Sequence, residues 1–237
     1  MIYRPKMTFK CRIVQRTASA VDWLYTKPTF VLLHDAGGNE KDILDRVHPF
    51  LGAHFTVVSI RGPVHLGKSR YAWFDPMATQ DNQLPLSTVR QVHDEVYEFM
   101  ATDCFSNDEG RKSIWIYAEG QAAVLGLYNY VASHGTADCI LTVGARYPEN
   151  LRQSSAWPRR NKVPKLYLAY GLRDEAVPVE EGRALHHWLS NYQSDIHYSE
   201  HDMGHTPNHD CLTSIRKFHS QLFPGSPGSS ISSIWIP

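Results

Sequence analysis

Two polar residues and one glycine mark the places where this chain could carry out chemistry. Asp174 follows the β-rich run Lys165–Tyr170, and His205 follows a second β-rich run that begins at Asp195. Both side chains are therefore expected at the ends of strands, where an aspartate and a histidine can pair and move protons. Gly120 marks a third place of this kind, between a β-rich run and a helix-like run.

The segment around Gly120, Ala118–Ala122, has the frame of a nucleophile elbow but contains no nucleophile. Such an elbow is a strand–turn–helix with small residues two places on either side of a central residue at positive φ, which glycine adopts at little cost. If Glu119 were central instead, Tyr117 and Gln121 would fill the positions that must be small, and both are too bulky. We therefore place Gly120 at the centre, where it has no side chain with which to attack.

Six segments of the chain together match one known pattern. In chain order they are Leu33–Glu40, Arg61–Pro63, Tyr71–Asp75, Ala118–Ala122, Gly171–Pro178 and Met203–His205. On these segments the chain resembles the small phospholipase/carboxylesterase group of α/β-hydrolases, which includes acyl-protein thioesterases. The resemblance extends from about Thr29 to Leu222. The order of nucleophile position, acid and histidine is also that of α/β-hydrolases.

The resemblance implies an α/β-hydrolase fold without a separate lid domain. It makes Asp174 and His205 the acid and the histidine of the catalytic site, with oxyanion-hole amides at Ala36 and Gln121. Alternating β-rich and helix-like runs independently predict a doubly wound, mostly parallel sheet flanked by helices. In such a sheet the ligand crevice lies at the carboxyl ends of the strands.

The sequence departs from the family at residues on which esterase chemistry depends. Gly120 stands where the family has its catalytic serine, and Asp35 stands where it usually has glycine. Ala118 and Ala122 also replace the usual glycines of the elbow. Without the serine, the chain cannot form an acyl-enzyme at this position.

The chemistry that remains is non-covalent. His205, oriented by Asp174, is expected to be a general base toward water or a substrate C–H or O–H, with one ring nitrogen facing an empty space above Gly120. The backbone amides of Ala36 and Gln121 would polarise a carbonyl group. These groups suffice for elimination, cyclisation or direct attack by water on a small carbonyl or acyl ligand. The alternative is that the pair is a relic in a binding pocket.

Four further residues are candidates for contact with a ligand: Asp35, Tyr71, Trp73 and Glu119. Asp35 is expected to line the oxyanion turn and to repel a developing negative charge. Glu119 is either a structural carboxylate beneath the turn, or it reaches the pocket and supplies the missing carboxylate as a nucleophile or a base. Tyr71 and Trp73 lie in a long irregular stretch, residues 61–85, that would form an apolar wall. The alternative for Trp73 is a core position beneath this stretch.

Neither a metal nor a cofactor is expected. His201, His205 and His209 are spaced four residues apart, which on a helix would align three metal ligands. Gly204 and Pro207 interrupt any helix across that segment, so we interpret it as a loop.

The elements that position these residues follow from periodicity and turn residues. The predicted elements are an edge strand over Thr8–Arg16, a buried strand over Phe30–His34, a helix over Glu40–Leu51, a strand over Phe55–Ile60, a helix over Ser87–Phe105 opened by a serine cap, and a helix over Val179–Tyr192.

Length and composition suit one domain. The chain has 237 residues, for which we predict a single α/β domain over 1–223 and a Pro/Gly/Ser-rich tail over 224–237. Acidic and basic residues number 24 each, which argues against a nucleic-acid partner. No apolar stretch is long enough to span a membrane.

The spacing of the cysteines indicates the redox state of the compartment in which the protein works. Cys11, Cys104, Cys139 and Cys211 are scattered, which is typical of reduced thiols in a cytoplasmic protein, although two long-range disulfides also fit. The expected partner is a small acyl or carbonyl ligand, and a homodimer is compatible with the chain.

Three function classes remain open from the sequence. The first is an enzyme repurposed to non-covalent acid–base chemistry. The second is a catalytically inactive pseudo-hydrolase that binds a ligand or regulates a partner. The third is an ordinary serine carboxylesterase whose nucleophile has been replaced in this sequence. If the elbow, the pair and the amides are in register, Gly120→Ser is expected to restore hydrolysis of activated esters.

Overall fold

The computed structural model describes residues 7, 9–14, 29–51, 56–75, 84–100, 113–132, 137–154, 163–192 and 195–222. The strands in this part of the chain are β1 (Lys10–Val14), β2 (Thr29–Leu33), β3 (Thr56–Arg61), β4 (Val64–His65), β5 (Tyr71–Ala72), β6 (Ile114–Glu119), β7 (Cys139–Val143), β8 (Lys165–Gly171) and β9 (Ile196–His201). The α-helices are α1 (Glu40–Leu51), α2 (Leu86–Phe99), α3 (Ala123–Ala132), α4 (Glu149–Ser154), α5 (Val179–Ser190) and α6 (His209–Leu222).

The strands form one large sheet and one small hairpin. The large sheet has seven strands in the order β1-β3-β2-β6-β7-β8-β9, and β4 pairs with β5. The edge strand β1 is antiparallel to β3, whereas all other neighbours in the large sheet are parallel. The predicted doubly wound, mostly parallel sheet is confirmed, and the described residues contain no separate lid. None of the described helices has both the length and the apolar composition that a membrane span needs.

Two apolar layers cover the two faces of the sheet. One layer contains the buried side of α2, most of α3 and the inner face of α5. The other contains the inner faces of α1 and α6. Because both faces are covered, central strands such as β2 and β7 are buried at every residue, as expected for parallel strands between helices.

Element boundaries agree with the sequence at α1, which spans the predicted residues, but not at α2. The predicted serine cap of α2 is wrong, because the helix begins at Leu86 and Pro85 occupies the N-cap position without a side-chain hydrogen bond. Pro85 has a ψ of 128°, which lies outside the helical region, so the helix starts at the next residue and Ser87 lies within its first turn. The remaining predicted features outside the described residues are the helix end beyond Met100, the irregular segment 76–83, Cys104 and the tail 224–237.

A buried carboxylate fixes the N-terminus of α1. Glu40 accepts hydrogen bonds from Arg61 Nε at 2.7 Å and Arg61 Nη2 at 2.5 Å, and from Arg12 Nε at 3.3 Å. Burial raises the pKa of the Glu40 carboxyl, but the hydrogen bonds and charge of Arg61 outweigh burial, so the pKa lies below its ordinary value. The Ser59 hydroxyl also donates to the Glu40 carbonyl oxygen at 2.7 Å. These contacts tie the start of α1, and the turn that precedes it, to β3 and β1.

Removal of the Glu40 charge should destabilise the protein, because the partly buried Arg61 guanidinium would lose its buried carboxylate partner. We expect Glu40→Gln to lower the free energy of unfolding by about 2–4 kcal/mol, measured by chemical denaturation at neutral pH. The control is Asp45→Asn on the same helix, which removes an exposed pair with Lys41 and should change the free energy by less than about 0.5 kcal/mol. Equal losses in the two variants would contradict this account of α1.

Candidate active site

The predicted aspartate–histidine pair is formed at the carboxyl ends of two neighbouring strands. Asp174 lies in the loop after β8, and His205 lies in the loop between β9 and α6. His205 Nδ1 donates to Asp174 Oδ2 at 2.8 Å. The other carboxylate oxygen, Asp174 Oδ1, accepts from the backbone amides of Ala176 and Val177, both at 2.9 Å. The carboxylate is buried and fully hydrogen-bonded, so the orientation of the imidazole is fixed.

The end of β7 leaves room for this pair. Gly144 has a φ of +60°, and a Cβ built on it would lie 3.4 Å from Asp174 Oδ2 and 3.4 Å from the His205 ring. A side chain at this position would therefore be strained by its backbone conformation, and its Cβ would be in van der Waals contact with the pair.

The predicted turn around Gly120 is also formed. Gly120 has a φ of +50° and begins a short 3-10 helix, Gly120–Ala122, between β6 and α3. Ala118 and Ala122 are completely buried, which is why larger residues would not fit on either side of the turn. The strand–turn–helix frame with Gly120 at its centre agrees with the sequence prediction.

The space above Gly120 is filled by the carboxylate of Asp35. A Cβ built on Gly120 would lie 2.7 Å from Asp35 Oδ2 and closer still to Oδ1 and Cγ. Strands β2 and β6 are parallel neighbours in which Leu33 pairs with Ala118, so Asp35 and Gly120 are each two residues beyond a matched pair. This register brings the aspartate to the turn.

Both oxygens of the Asp35 carboxylate have partners in the site. Oδ1 accepts from the backbone N–H of Gln121 at 2.6 Å, and Oδ2 lies 3.0 Å from His205 Nε2. The expectation of an empty space facing the histidine is therefore wrong. The Gln121 amide, predicted to await a substrate oxygen, donates to the protein's own carboxylate instead.

His205 is an imidazolium in this arrangement. Both ring nitrogens face carboxylate oxygens, and only the doubly protonated ring can donate to both. The hydrogen bond to Asp35 is the largest effect and raises the pKa of His205. Burial lowers this pKa, the hydrogen bond to Asp174 raises it further, and the resulting pKa is about 9. A protonated imidazole has no lone pair to accept a proton, so in this resting state His205 is an acid, whereas the sequence led us to expect a general base.

A cavity of about 190 Å³ opens beside these groups. Ala36, the other predicted oxyanion donor, lies in its wall. The charged residues of the wall are Asp35, Asp42, Arg46, Glu119 and His205. The site is thus a small cavity with several charged side chains in its wall.

Glu119 is held beneath the turn by two partners. The Tyr117 hydroxyl donates to Glu119 Oε1 at 2.7 Å, and Arg46 forms an ion pair with the other oxygen. Burial raises the pKa of the Glu119 carboxyl, and the charge of Arg46 opposes this shift. These contacts favour the structural interpretation of Glu119. The carboxylate that lies above Gly120 belongs to Asp35, whereas Glu119 lies in the wall of the cavity.

The aromatic residues Tyr71 and Trp73 support the site from outside the cavity. Trp73 is completely buried, and its indole N–H donates to the His34 carbonyl oxygen at 2.7 Å, so its predicted contact with a ligand is wrong and the core alternative is correct. The Tyr71 ring lies 4.5 Å from the Arg61 guanidinium and is not among the described residues that line the cavity. Its backbone carbonyl accepts from the Gly37 amide at 2.8 Å, which anchors the turn after β2.

Sequence reasoning missed three supporting contacts. His34 Nε2 accepts from the Gly62 amide at 2.9 Å while Nδ1 donates to the Asp35 carbonyl oxygen at 2.7 Å. The Gln121 side chain binds the backbone of the aromatic segment, with Oε1 accepting from the Trp73 amide at 2.8 Å. Arg46 faces the cavity from α1. The signal that could have indicated these contacts is a polar residue at the end of an apolar run, or within one.

The three evenly spaced histidines do not share a helical face. His201 ends β9, His205 lies in the following loop, and His209 begins α6. The interpretation of this segment as a loop agrees with the structure.

The sequence of the chain identifies its family. Residues 24–223 match the sequence profile of the phospholipase/carboxylesterase family. The chain belongs to this family. No curated protein has a sequence similar enough to match it.

Solved structures of similar fold include several esterases. Esterase PE8 is 20% identical, with 91% of this chain and 99% of that chain covered and a TM-score of 0.74. The Bacillus cereus carboxylesterase is 18% identical, with 91% and 95% covered and a TM-score of 0.69. Arabidopsis thaliana SOBER1 is 16% identical, with 82% and 98% covered and a TM-score of 0.67. At these identities the likeness concerns the fold alone.

Restoration of the family's serine requires two changes rather than the one that the sequence suggested. Gly120→Ser alone should lose roughly 2–4 kcal/mol of stability and remain inactive, because its side chain collides with Asp35 and sits at positive φ. The double variant Asp35→Gly/Gly120→Ser clears the space and frees the Gln121 amide. We expect it to hydrolyse p-nitrophenyl acetate, measured by initial rates, and to lose that activity when His205→Ala is added. An active single variant beside an inactive double variant would contradict this geometry.

Stability should depend on pH through His205. Its pKa is raised from 6.5 to about 9 in the folded protein, so its contribution is fully present below pH 6.5 and is lost as pH rises through 9. The wild-type protein should therefore lose more stability over this range than His205→Gln, which has no titrating group at this position. Thermal unfolding at a series of pH values measures the difference between the two curves. Parallel curves would show that the imidazolium does not stabilise the fold.

Proposed function

We propose that this chain is a serine-independent member of its family that carries out non-covalent acid–base chemistry on a small carbonyl or acyl ligand. The reaction types that fit are elimination, cyclisation and direct attack by water. The observation that carries the proposal is the Asp35 carboxylate above Gly120, hydrogen-bonded to His205 Nε2 at 3.0 Å. In this arrangement Asp35 is the base and His205 is the acid, which reverses the role expected for the histidine.

Asp35 is the group that can accept a proton from the ligand. It lines the cavity, and its carboxylate has lone pairs on both oxygens. A ligand C–H or O–H in the cavity, or a water molecule held there, can transfer its proton to one of these oxygens. The electron pair left behind moves into the carbonyl group of the ligand or forms the new bond from water.

The two N–H groups that donate to Asp35 can stabilise the negative charge after it has moved to the ligand. Before the transfer, the Gln121 amide and His205 Nε2 donate to the ionised Asp35. Once Asp35 holds a proton, the negative charge lies on the ligand oxygen, and the same donors can bind that oxygen with little rearrangement. His205 can also give its proton to a leaving group, while Asp174 keeps the ring in place.

A ligand-binding pseudo-hydrolase is the second candidate. The observation that favours it is the occupied Gln121 amide, because the protein's own carboxylate fills the place where an acyl oxygen would bind. The replaced-serine alternative is disfavoured, because a Cβ at position 120 has no room beside Asp35.

The proposal is tested by proton exchange in deuterated water. Short aldehydes, ketones and acyl thioesters are incubated with the full chain, and loss of the proton signal next to the carbonyl is followed by NMR. We expect Asp35→Asn to slow the exchange by roughly 100-fold or more, because it removes the base but keeps the size of the side chain. Asp45→Asn, an exposed carboxylate on α1, is the matched control and should not change the rate.

Two outcomes separate the candidates. If the same compounds raise the melting temperature of the wild-type protein without any exchange or turnover, the binding protein is favoured. Fluorophosphonate probes should not react in the cavity, since capture needs an activated hydroxyl group. Stoichiometric labelling of a hydroxyl group in the cavity wall would refute serine independence.

A further inference from the structure

We propose that Asp35 is also a covalent nucleophile toward saturated carbon, forming an aspartyl ester with a neutral alkyl compound that carries an anionic leaving group, such as a short alkyl halide. The inference uses the same carboxylate as the proposed function but goes beyond it. In base chemistry the Asp35 electron pair takes a proton, whereas here it forms a bond to carbon.

The position of the carboxylate is the first support. Asp35 reaches over the elbow from the neighbouring strand and fills the volume in which the side chain of an elbow nucleophile would begin. Its side chain is 28% exposed and lines the cavity, so an electrophile in the cavity can meet it.

The hydrogen-bond partners of the two Asp35 oxygens are the second support, because they are placed to assist hydrolysis of an ester formed on Asp35. When water attacks the Cγ atom of such an ester, negative charge develops on the carbonyl oxygen. That oxygen is Oδ1, which already accepts from the Gln121 amide at 2.6 Å. The ester oxygen is Oδ2, which lies 3.0 Å from His205 Nε2, the group that can protonate a departing alkoxide.

The steps balance without any co-reactant other than water. Asp35 Oδ2 forms a bond to the alkyl carbon, and the carbon–halogen bond breaks with its electron pair on the halide. His205, once it has released its extra proton to solvent, takes a proton from water as the water oxygen attacks Cγ. The tetrahedral intermediate collapses, the Cγ–Oδ2 bond breaks, and His205 returns the proton to the alkoxide. The products are an alcohol, a halide and a proton, and Asp35 retains one oxygen from water.

Ester formation also converts His205 from an acid to a base. In the resting site the imidazolium donates to two carboxylates. Esterification of Asp35 removes one of these negative charges, which lets His205 release its extra proton to solvent. The remaining Asp174 contact keeps Nδ1 protonated, so Nε2 is the nitrogen that becomes free to activate water.

The wall of the cavity defines the substrate class. It carries the carboxylates of Asp35, Asp42 and Glu119 against the cations Arg46 and His205, so an anionic electrophile is disfavoured. In-line displacement places the leaving atom opposite Asp35 and therefore away from the His205 proton. A halide, which departs without a proton, fits this geometry better than an epoxide. The volume of about 190 Å³ favours short alkyl chains.

The first experiment traps the ester. The full chain is incubated with 1-bromobutane, and bromide release and peptide masses are measured. We expect His205→Gln to accumulate one butyl group on the Asp35 peptide, because it lacks the base for the second step. Asp35→Asn should lose this adduct and at least 100-fold of the bromide release, whereas Asp45→Asn should behave like the wild type. An adduct confined to other residues, or equal release by Asp35→Asn, would overturn the inference.

The second experiment uses the wild-type protein and does not depend on the folding of a variant. In a single turnover in water enriched in oxygen-18, the heavy oxygen should enter Asp35 and not the first alcohol released. Heavy oxygen in the alcohol alone would mean direct attack by water and would overturn the inference. Proton exchange on carbonyl compounds without an adduct would support the proposed acid–base function and overturn covalent attack by Asp35. An adduct without proton exchange would support covalent attack and overturn the proposed acid–base function. Faster reaction with 1,2-epoxybutane than with 1-bromobutane would refute the leaving-group argument.

Discussion

The volume above the elbow can hold only one group, and the rest of the site depends on which group that is. In this chain it holds the Asp35 carboxylate, which leaves no room for a Cβ on residue 120. The two departures from the family, glycine for serine and aspartate for glycine, are therefore two sides of one steric constraint. An aspartate at position 35 requires glycine at position 120, since a serine there would collide with Asp35.

The charges of the site follow from the presence of the Asp35 carboxylate above the elbow. Asp35 and Asp174 lie on opposite sides of the His205 ring and hold it as an imidazolium, with a pKa of about 9. A histidine that would be a base beside a serine becomes an acid beside a carboxylate. Its charge is balanced before any ligand arrives, and the Gln121 amide is satisfied in the same way. In the proposed function, chemistry therefore begins with the carboxylate rather than with the imidazole.

The surrounding structure keeps the carboxylate in place. The His34 ring links the Asp35 carbonyl oxygen to the Gly62 amide beyond β3, and the buried Trp73 indole binds the His34 carbonyl oxygen. Glu40 and Arg61 fix the start of α1 on the far side of the turn. A reactive group whose backbone is held on both sides needs little reorganisation when a ligand binds.

The sequence by itself determined the features that neighbouring residues encode. Apolar runs predicted the parallel strands, so Asp174 and His205 could be placed at strand ends, and the small residues around Gly120 predicted a turn at positive φ. Only the tertiary structure decided what fills the space above that turn, because Asp35 and Gln121 are 86 residues apart and meet through the register of β2 with β6. The same is true of Trp73, whose burial depends on a carbonyl group presented by another strand end. Local patterns specify where a strand ends, but the direction of a side chain beyond that end depends on which strand lies beside it.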